Sequence, residues 1–288
     1  MNRKTKAVIS FLVSAIVLTF FLFSQISLAR NESLRVYFFD VGQGDSILIR
    51  TPDARDVLID GGPDNKVLER LSEVMPFWDR NIDMVVLTHP HDDHIAGLDE
   101  VLKRFKIGEI LEPDLKNIPD NEKYFDTLAT SNGVKEEKAL KGDIFDLGSG
   151  ISLKIIYPLV LQEDEDNLND DSVVIQMSYK GKKFLFTGDA TENVEAKILD
   201  QDLDSNFLKV GHHGSRYSSS QKFLEAVSPS VSIISVGEGN TFGHPTQDTL
   251  DRLSSIGSKV LRTDENGTVE VEVESDGQWE IKCSKSCD

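Results

Sequence analysis

The sequence predicts an α/β protein folded as a four-layer α/β/β/α sandwich. Apolar or β-branched runs of strand length precede stretches with helical spacing, and this order repeats in two successive halves of the chain. Two sheets back to back, each with helices on its outer face, would bury all of those apolar faces. The histidines give a second observation. All 6, His89, His91, His94, His212, His213 and His244, fall in loops that follow predicted strands, and strand ends are where such folds collect functional groups.

The first thirty residues stand apart from this fold. Arg3, Lys4 and Lys6 precede an uncharged apolar run over 7–23, and Ser27-Leu28-Ala29 makes a small-x-small pattern of the kind cut by signal peptidase. The run is also near the roughly 20 residues of a membrane span. Residues 1–30 are therefore read as an N-terminal signal peptide or membrane anchor. The basic residues ahead of the run would leave residues 31–288, a single hydrolase domain, outside the cytoplasm, secreted or anchored to the cell membrane.

Residues 34–39 read as a strand, followed by the loop Asp40-Val41-Gly42-Gln43-Gly44-Asp45 and strands over 46–50 and 57–60. Gly61 and Gly62 close the third strand with a turn, and 66–74 has helical spacing. A fourth strand, 82–87, is apolar almost throughout, as a buried strand should be. It leads into Thr88-His89-Pro90-His91-Asp92-Asp93-His94, and a helix over 94–105 follows, with Ile95, Leu98, Val101, Leu102 and Phe105 on one face. Residues 113–141 are polar and are expected to form an exposed connection, with a helix near 124–130. The acidic run 163–166 reads as a solvated loop. A hairpin over 172–187 turns at Lys180-Gly181-Lys182 and ends in Gly188-Asp189. The second half then runs helix 192–199, strand 207–210, loop Gly211-His212-His213-Gly214-Ser215, helix 221–227, strand 231–236, loop 237–245, helix 249–256, and strands at 260–262, 268–274 and 278–282. Val269, Val271 and Val273 alternate with glutamates, as in a half-exposed strand.

Charge narrows the partners. The chain carries a net −18; of its 31 basic residues, four lie in the first thirty positions, which hold no acid, so the remainder carries 27 against 49 acidic residues, a net of −22. Proteins that bind nucleic acid tightly draw on Lys and Arg to displace counterions, so the acidity counts against a high-affinity DNA-binding protein. A metal site would supply its own positive charge. Cys283 and Cys287 are the 2 cysteines; in an oxidising compartment they would close a small terminal loop, and otherwise remain free thiols.

The spacing H-x-H-x-D-H over residues 89–94 is metal-site chemistry, since His and Asp together suit zinc, manganese or iron. Asp189 follows a strand end in the same way and is favoured as a further ligand. Asp60 is read as an acceptor holding a motif histidine or as a turn residue, and Asp45 as lining the mouth of the site.

These motifs resemble the metallo-β-lactamase superfamily, and within it the metallo-hydrolase domain of ComEC competence (DNA-uptake) proteins. The residues carrying the resemblance are Phe39-Asp40-Val41-Gly42-Gln43-Gly44-Asp45-Ser46, Leu58-Ile59-Asp60-Gly61-Gly62, Thr88 to His94, Phe186-Thr187-Gly188-Asp189, Leu208-Lys209-Val210-Gly211-His212-His213-Gly214-Ser215, and Gly243-His244-Pro245. The resemblance implies two divalent ions, Zn2+ or Mn2+: His89 and His91 on one, Asp93 and His94 on the other, and Asp189 bridging. Either His213 or His244 would complete the second ion's ligands. Superfamily members usually add a histidine between the first cluster and the bridging Asp. None lies between His94 and His212 here, and Asn169-Asp170-Asp171-Ser172 stands in its place.

The implied chemistry is metal-assisted hydrolysis, in which cations acidify water and neutralise charge on the attacked phosphoryl or carbonyl group. Asp93, His212 and His213 are the candidate catalytic residues, an unligated His212 or His213 being placed to protonate the leaving oxygen. The leading expectation is a phosphodiesterase or nuclease, with single-stranded DNA as a possible substrate. A cell-wall or lipid phosphodiester esterase of phosphorylcholine type is the alternative, and a non-catalytic partner in a DNA-uptake complex is a reading from another class. The uptake channel of ComEC proteins is not in this sequence.

Overall fold

The computed structural model describes residues 3–29, 32–160 and 167–287; the acidic run 163–166 lies outside the described residues. Helix α1 spans Arg3–Ala29. Then come β1 Leu34–Phe38, β2 Ile47–Arg50, β3 Asp56–Ile59, α2 Lys66–Val74, β4 Asn81–Val86, α3 Asp92–Leu102, β5 Lys106–Glu112, α4 Asp120–Ser131, β6 Lys135–Lys138, β7 Ile144–Asp146 and β8 Ser152–Tyr157. The second half holds β9 Val174–Tyr179, β10 Lys182–Phe186, α5 Glu192–Ile198, β11 Phe207–Lys209, α6 Gln221–Val227, β12 Val231–Ile234, α7 Gln247–Ser255, β13 Lys259–Arg262, α8 Thr263–Asn266, β14 Val269–Val273 and β15 Trp279–Cys283.

The strands form two sheets, ordered β15-β14-β1-β2-β3-β4-β5-β6 and β13-β12-β11-β10-β9-β8-β7. Period-2 alternation divides each strand between two cores. Phe184 and Phe186 of β10 point to the interior between the sheets, where Phe38, Ile49, Val57 and Val86 meet them. Leu185, between those two phenylalanines, faces outward with Leu208 and Ile234, under Val194, Phe223, Leu224 and Leu253 of the helices. On the other flank Val67, Leu71, Ile95, Leu98 and Phe125 cover Leu58, Val85 and Ile110. Three apolar layers between four layers of secondary structure make the expected α/β/β/α sandwich.

The structure departs from expectation in places. Residues 113–141 are more than an exposed connection: α4 buries Phe125 and Ala129 against the first sheet, and β6 extends that sheet by pairing in parallel with β5. The sequence of β6, Lys135-Glu136-Glu137-Lys138, hides the strand because an edge strand tolerates charge that a central one does not. Strands β5, β7 and β8 were likewise not anticipated.

The expected signal peptide or membrane anchor over 1–30 is not supported. Among the described residues no helix is long and apolar enough to cross a membrane. Helix α1 touches the sandwich through Phe21, whose ring lies 5.6 Å from that of Phe77, and through Gln25, whose Oε1 accepts from the Phe77 N–H at 2.9 Å. At the other end, Cys283 and Cys287 are joined in a disulfide.

Candidate metal centre

Parallel pairing of β4 with β3 and β5 ends with residues 88–91 leaving the sheet edge and α3 beginning at Asp92. Asp92 and Asp93 occupy the first turn of α3, where the helix dipole favours anionic side chains. His94 sits one step further, fully buried. Two glycines hold this turn close to its neighbours. A Cβ on Gly97 would lie 1.9 Å from the Gly61 carbonyl oxygen, and one on Gly44 would lie 2.2 Å from that of Asp93. The Asp45 N–H donates to the Asp93 carbonyl across the latter contact, at 3.2 Å.

Asp60 fixes the orientation of the motif. One carboxylate oxygen accepts from the Thr88 N–H at 2.8 Å; the other accepts from the Thr88 hydroxyl at 2.7 Å and from His94 Nδ1 at 2.8 Å. The carboxylate can only accept, so Nδ1 carries a proton and Nε2 of His94 points away, toward Asp189 Oδ1 at 3.4 Å. The expectation that Asp60 holds a motif histidine thus describes its position.

The second half of the chain supplies the facing groups. Asp189 follows β10, its N–H donating to Ser172 Oγ at 3.1 Å. His212 and His213 both adopt left-handed backbone, φ 49° and 52°, which turns His213 inward from the end of β11. Its Nδ1 lies 2.8 Å from the Ser235 carbonyl, an acceptor that fixes the proton there. Nε2 is left facing Asp93 Oδ2 at 3.2 Å and Asp189 Oδ2 at 3.3 Å. Donor atoms of Asp93, His94, Asp189 and His213 lie within 4.8 Å of one another.

That donor set fits a divalent cation. His94 Nε2 and Asp189 Oδ1 are buried without a hydrogen-bond partner, which is costly unless a ligand satisfies them. Next to this group, His89 Nε2 lies 3.0 Å from His91 Nδ1, and the His89 ring is 4.2 Å from that of His94. His89 and His91 with Asp189 are the residues present for a neighbouring ion.

Of the two residues left open for the second ion, the fold brings in His213. His244 instead packs beside His212, ring centroids 5.6 Å apart, with its Nδ1 buried and unpartnered. His212 Nε2 is 3.9 Å from Asp189 Oδ2 and 3.5 Å from Asn169 Nδ2, so Asn169 reaches the site from the segment that stands where other members place a histidine. Asp45 does not line the mouth. It is buried behind His213, 3.4 Å from Nδ1, and pairs with Lys209.

Lys209 is the group that sequence reasoning passed over. It is 1% exposed, and besides Asp45 its ammonium reaches the Gly188 carbonyl at 3.3 Å. The available signal was a lysine between Leu208 and Val210 in a short apolar strand, since a buried lysine needs an anionic partner.

Electrostatics tie these groups together. Burial disfavours charge on His94, yet Asp189 and Asp60 hold its pKa well above the ordinary imidazole value. Burial likewise opposes charge on His213, but Asp189, Asp45 and Asp93 raise it in the same way. Burial would raise Asp189, but His213 and His94 keep it well below the usual carboxylate range. Burial and then His94 push His89 well below the ordinary imidazole, and burial with His212 lowers His244 to about 4. Asp189 therefore stays ionised and His89 and His244 stay neutral, the states in which such groups bind metal, while His94 and His213 carry protons that a bound cation would displace.

Residues 39–238 match the metallo-beta-lactamase superfamily. ComE operon protein 3 of Bacillus subtilis is 31% identical over 255 residues, an alignment covering 82% of this chain and 32% of that protein. Competence protein ComA of Neisseria gonorrhoeae is 30% identical, covering 83% of this chain and 32% of its own. The chain thus spans about a third of the length of these curated relatives. Among solved structures, the metallo-beta-lactamase fold protein YhfI from Bacillus subtilis superposes with a TM-score of 0.56 at 12% identity, over 86% of this chain and 99% of that one, and so speaks to the fold alone. With the motifs, the sandwich and the match over most of its length in agreement, this chain belongs to the metallo-beta-lactamase superfamily.

Proposed function

We propose that the chain is a metal-dependent phosphodiesterase acting outside the cytoplasm, with single-stranded DNA as a substrate. The observation that carries the reading is the convergence of Asp93, His94, Asp189 and His213 around buried, unpartnered donor atoms, with His89 and His91 alongside. Competence proteins among the relatives favour DNA over other phosphodiesters. The Cys283–Cys287 disulfide favours an oxidising compartment.

In this reading His89, His91 and Asp189 would hold one Zn2+ or Mn2+ ion, and Asp93, His94, Asp189 and His213 would hold the other. When bound, the ions supply Lewis acidity toward water and the phosphoryl oxygens. The side chains do the rest. Asp60 and the Ser235 carbonyl fix the tautomers of His94 and His213, so that both present Nε2. Asp93, its side chain 31% exposed, is the most accessible of the converging four and stands where substrate would arrive. His212, also partly exposed, is placed to donate a proton to the leaving oxygen.

The test incubates the purified chain with labelled single-stranded DNA and Mn2+ or Zn2+, beside a His91→Ala control. Metal-dependent cleavage by the wild type, reduced at least about 100-fold in the variant, is expected; equal cleavage by both would overturn the nuclease reading. The net charge of −18 favours, as a second reading, a small phosphodiester such as a phosphorylcholine ester. A panel of such esters separates the two, and activity on DNA alone counts against the second.

A further inference from the structure

We propose a second cation site, of calcium class, formed by Glu112, Asp126 and Glu136 at the β6 edge of the first sheet, with the buried Glu122 beside them. Glu112 ends β5, Glu122 and Asp126 lie one turn apart on α4, and Glu136 belongs to β6. One carboxylate oxygen from each of Glu112, Asp126 and Glu136 lies within 4.8 Å of the others. Against these four carboxylates the ammonium of Lys138 sits 2.6 Å from Glu112 Oε1.

An acidic cluster alone would not identify a site, since solvated carboxylates cluster often. Here the independent observation is burial. Glu122 is 0% exposed, and neither of its carboxylate oxygens has a hydrogen-bond partner. Glu112 is also 0% exposed, and its Oε2 is unpartnered, as are buried oxygens of Asp126 and Glu136. A buried carboxylate must be satisfied by a donor, a proton or a cation. Glu112, Asp126 and Asp171, all acidic, and Lys138 act on the charge of Glu122, and the Lys138 ammonium is already committed to Glu112. Burial, opposed by Lys138 and reinforced by Asp126 and Glu136, pushes Glu112 to about 7, and burial with Glu112 and Asp126 pushes Glu122 to about 8, as expected of carboxylates poised to exchange a proton for a cation.

The chemistry of the donors selects the ion. All are carboxylate oxygens, with no nitrogen or sulfur, which suits hard cations over zinc. Several carboxylates converging suit Ca2+, which takes 6 to 8 oxygens, better than Mg2+, which keeps its waters. Occupancy would also reach the metal centre. Asn121, next to Glu122, donates from Nδ2 to the Pro90 carbonyl at 2.6 Å and to Asp92 Oδ1 at 3.0 Å, both in the histidine motif. Locking the first turn of α4 braces that loop.

The test titrates Ca2+ by calorimetry into the full chain, the Asp189→Asn variant, the Glu122→Gln variant and the Asp126→Asn/Glu136→Gln double variant. The wild type and Asp189→Asn, whose catalytic centre is impaired, are expected to bind one Ca2+ with matching affinity. Both cluster variants are expected to bind at least about 10-fold more weakly. Saturating Ca2+ should raise the melting temperature of the wild type and of Asp189→Asn by about 4 °C or more, but not that of Glu122→Gln. The double variant changes only partly covered side chains, so it keeps the test open should Glu122→Gln fold poorly. Calcium binding absent from Asp189→Asn, or undiminished in the double variant, would overturn the site.

Discussion

Replacing Asp60 with Asn isolates how far the catalytic centre depends on a residue that binds no metal itself. Asp60 is buried and takes three donors on two oxygens: the Thr88 N–H, the Thr88 hydroxyl and His94 Nδ1–H. Its backbone has φ 58°, a left-handed conformation that Asn tolerates nearly as well as Asp, so the substitution is isosteric and adds no backbone strain. It exchanges one acceptor oxygen for an NH2 group. If the remaining oxygen keeps the Thr88 N–H, the new NH2 faces His94 Nδ1–H, donor against donor. His94 then either swings away or moves its proton to Nε2, the atom that faces Asp189, and either change spoils it as a ligand. Loss of such an orienting partner costs about 10 to 100-fold in metal affinity, or about 1.4 to 2.7 kcal/mol. One buried donor left unpaired costs about 1 to 3 kcal/mol of folding stability in addition. Chelator competition measures the first effect and urea unfolding of the metal-free protein the second. Metal affinity within twofold of wild type would refute the proposed control of the His94 tautomer.

Other substitutions probe the remaining parts. His213→Ala should lose about one bound metal per chain, whereas His244→Ala, which leaves the four converging donors intact, should retain full occupancy; elemental analysis of both proteins decides between them. Lys209→Met strands the buried Asp45 carboxylate and should destabilise by about 3 to 5 kcal/mol in urea, with Lys209→Met/Asp45→Asn recovering much of that loss; an equal loss in the double variant would show that the pair is not the cause. For the acidic cluster the sign follows from raised folded pKa values, about 7 for Glu112 and about 8 for Glu122. Their stabilisation is fully present below about pH 4.5, the unfolded value, and is lost as pH rises through about 8. In calcium-free buffer the stability of the wild type relative to Glu122→Gln should therefore fall between pH 5 and pH 8, as read by melting temperature, and a flat or rising difference would contradict it.

Much of this architecture could be read in the residues because strand and helix patterns differ in period. Leu185 between Phe184 and Phe186, or Ile95 and Leu98 on α3, announce both their element and its buried face. The elements that escaped are those whose pairing overrides composition. β6 is wholly charged and survives at a sheet edge through backbone hydrogen bonds to β5, which no side-chain pattern reveals. At the site, the ligand types and their strand-end positions were legible, but the choice between His213 and His244 was not. It turns on two successive left-handed residues that aim His213 inward and on a carbonyl of Ser235, at the end of another strand. Lys209 was hidden for a related reason: its partner Asp45 is far away in sequence, and only the meeting of the two sheets' ends makes the lysine an interior charge.

The same meeting of charges bears on how an acidic chain would act on an anionic substrate under the proposed function. The chain carries a net −18, and at the metal-free centre Asp45, Asp60, Asp93 and Asp189 stand against the ammonium of Lys209 and the protonated imidazoles of His94 and His213. Without cations this centre repels a phosphodiester; two divalent ions would reverse its local sign. At physiological ionic strength charges beyond about 8 Å are screened, so a phosphate in the centre responds to the ions and ligands beside it and little to the acidic surface. Recognition of DNA should then involve few phosphates. A protein that neutralises many phosphates with lysines and arginines loses affinity steeply with salt, by about one logarithmic unit per phosphate for each tenfold increase. For this chain, with its DNA-cleaving activity as premise, the logarithmic slope of kcat/KM against salt should be about −1 to −2, measured with Mn2+ held saturating. A slope near −5 would mean that an extended basic surface captures the strand, and the argument that bound metal alone offsets the acidity would fail.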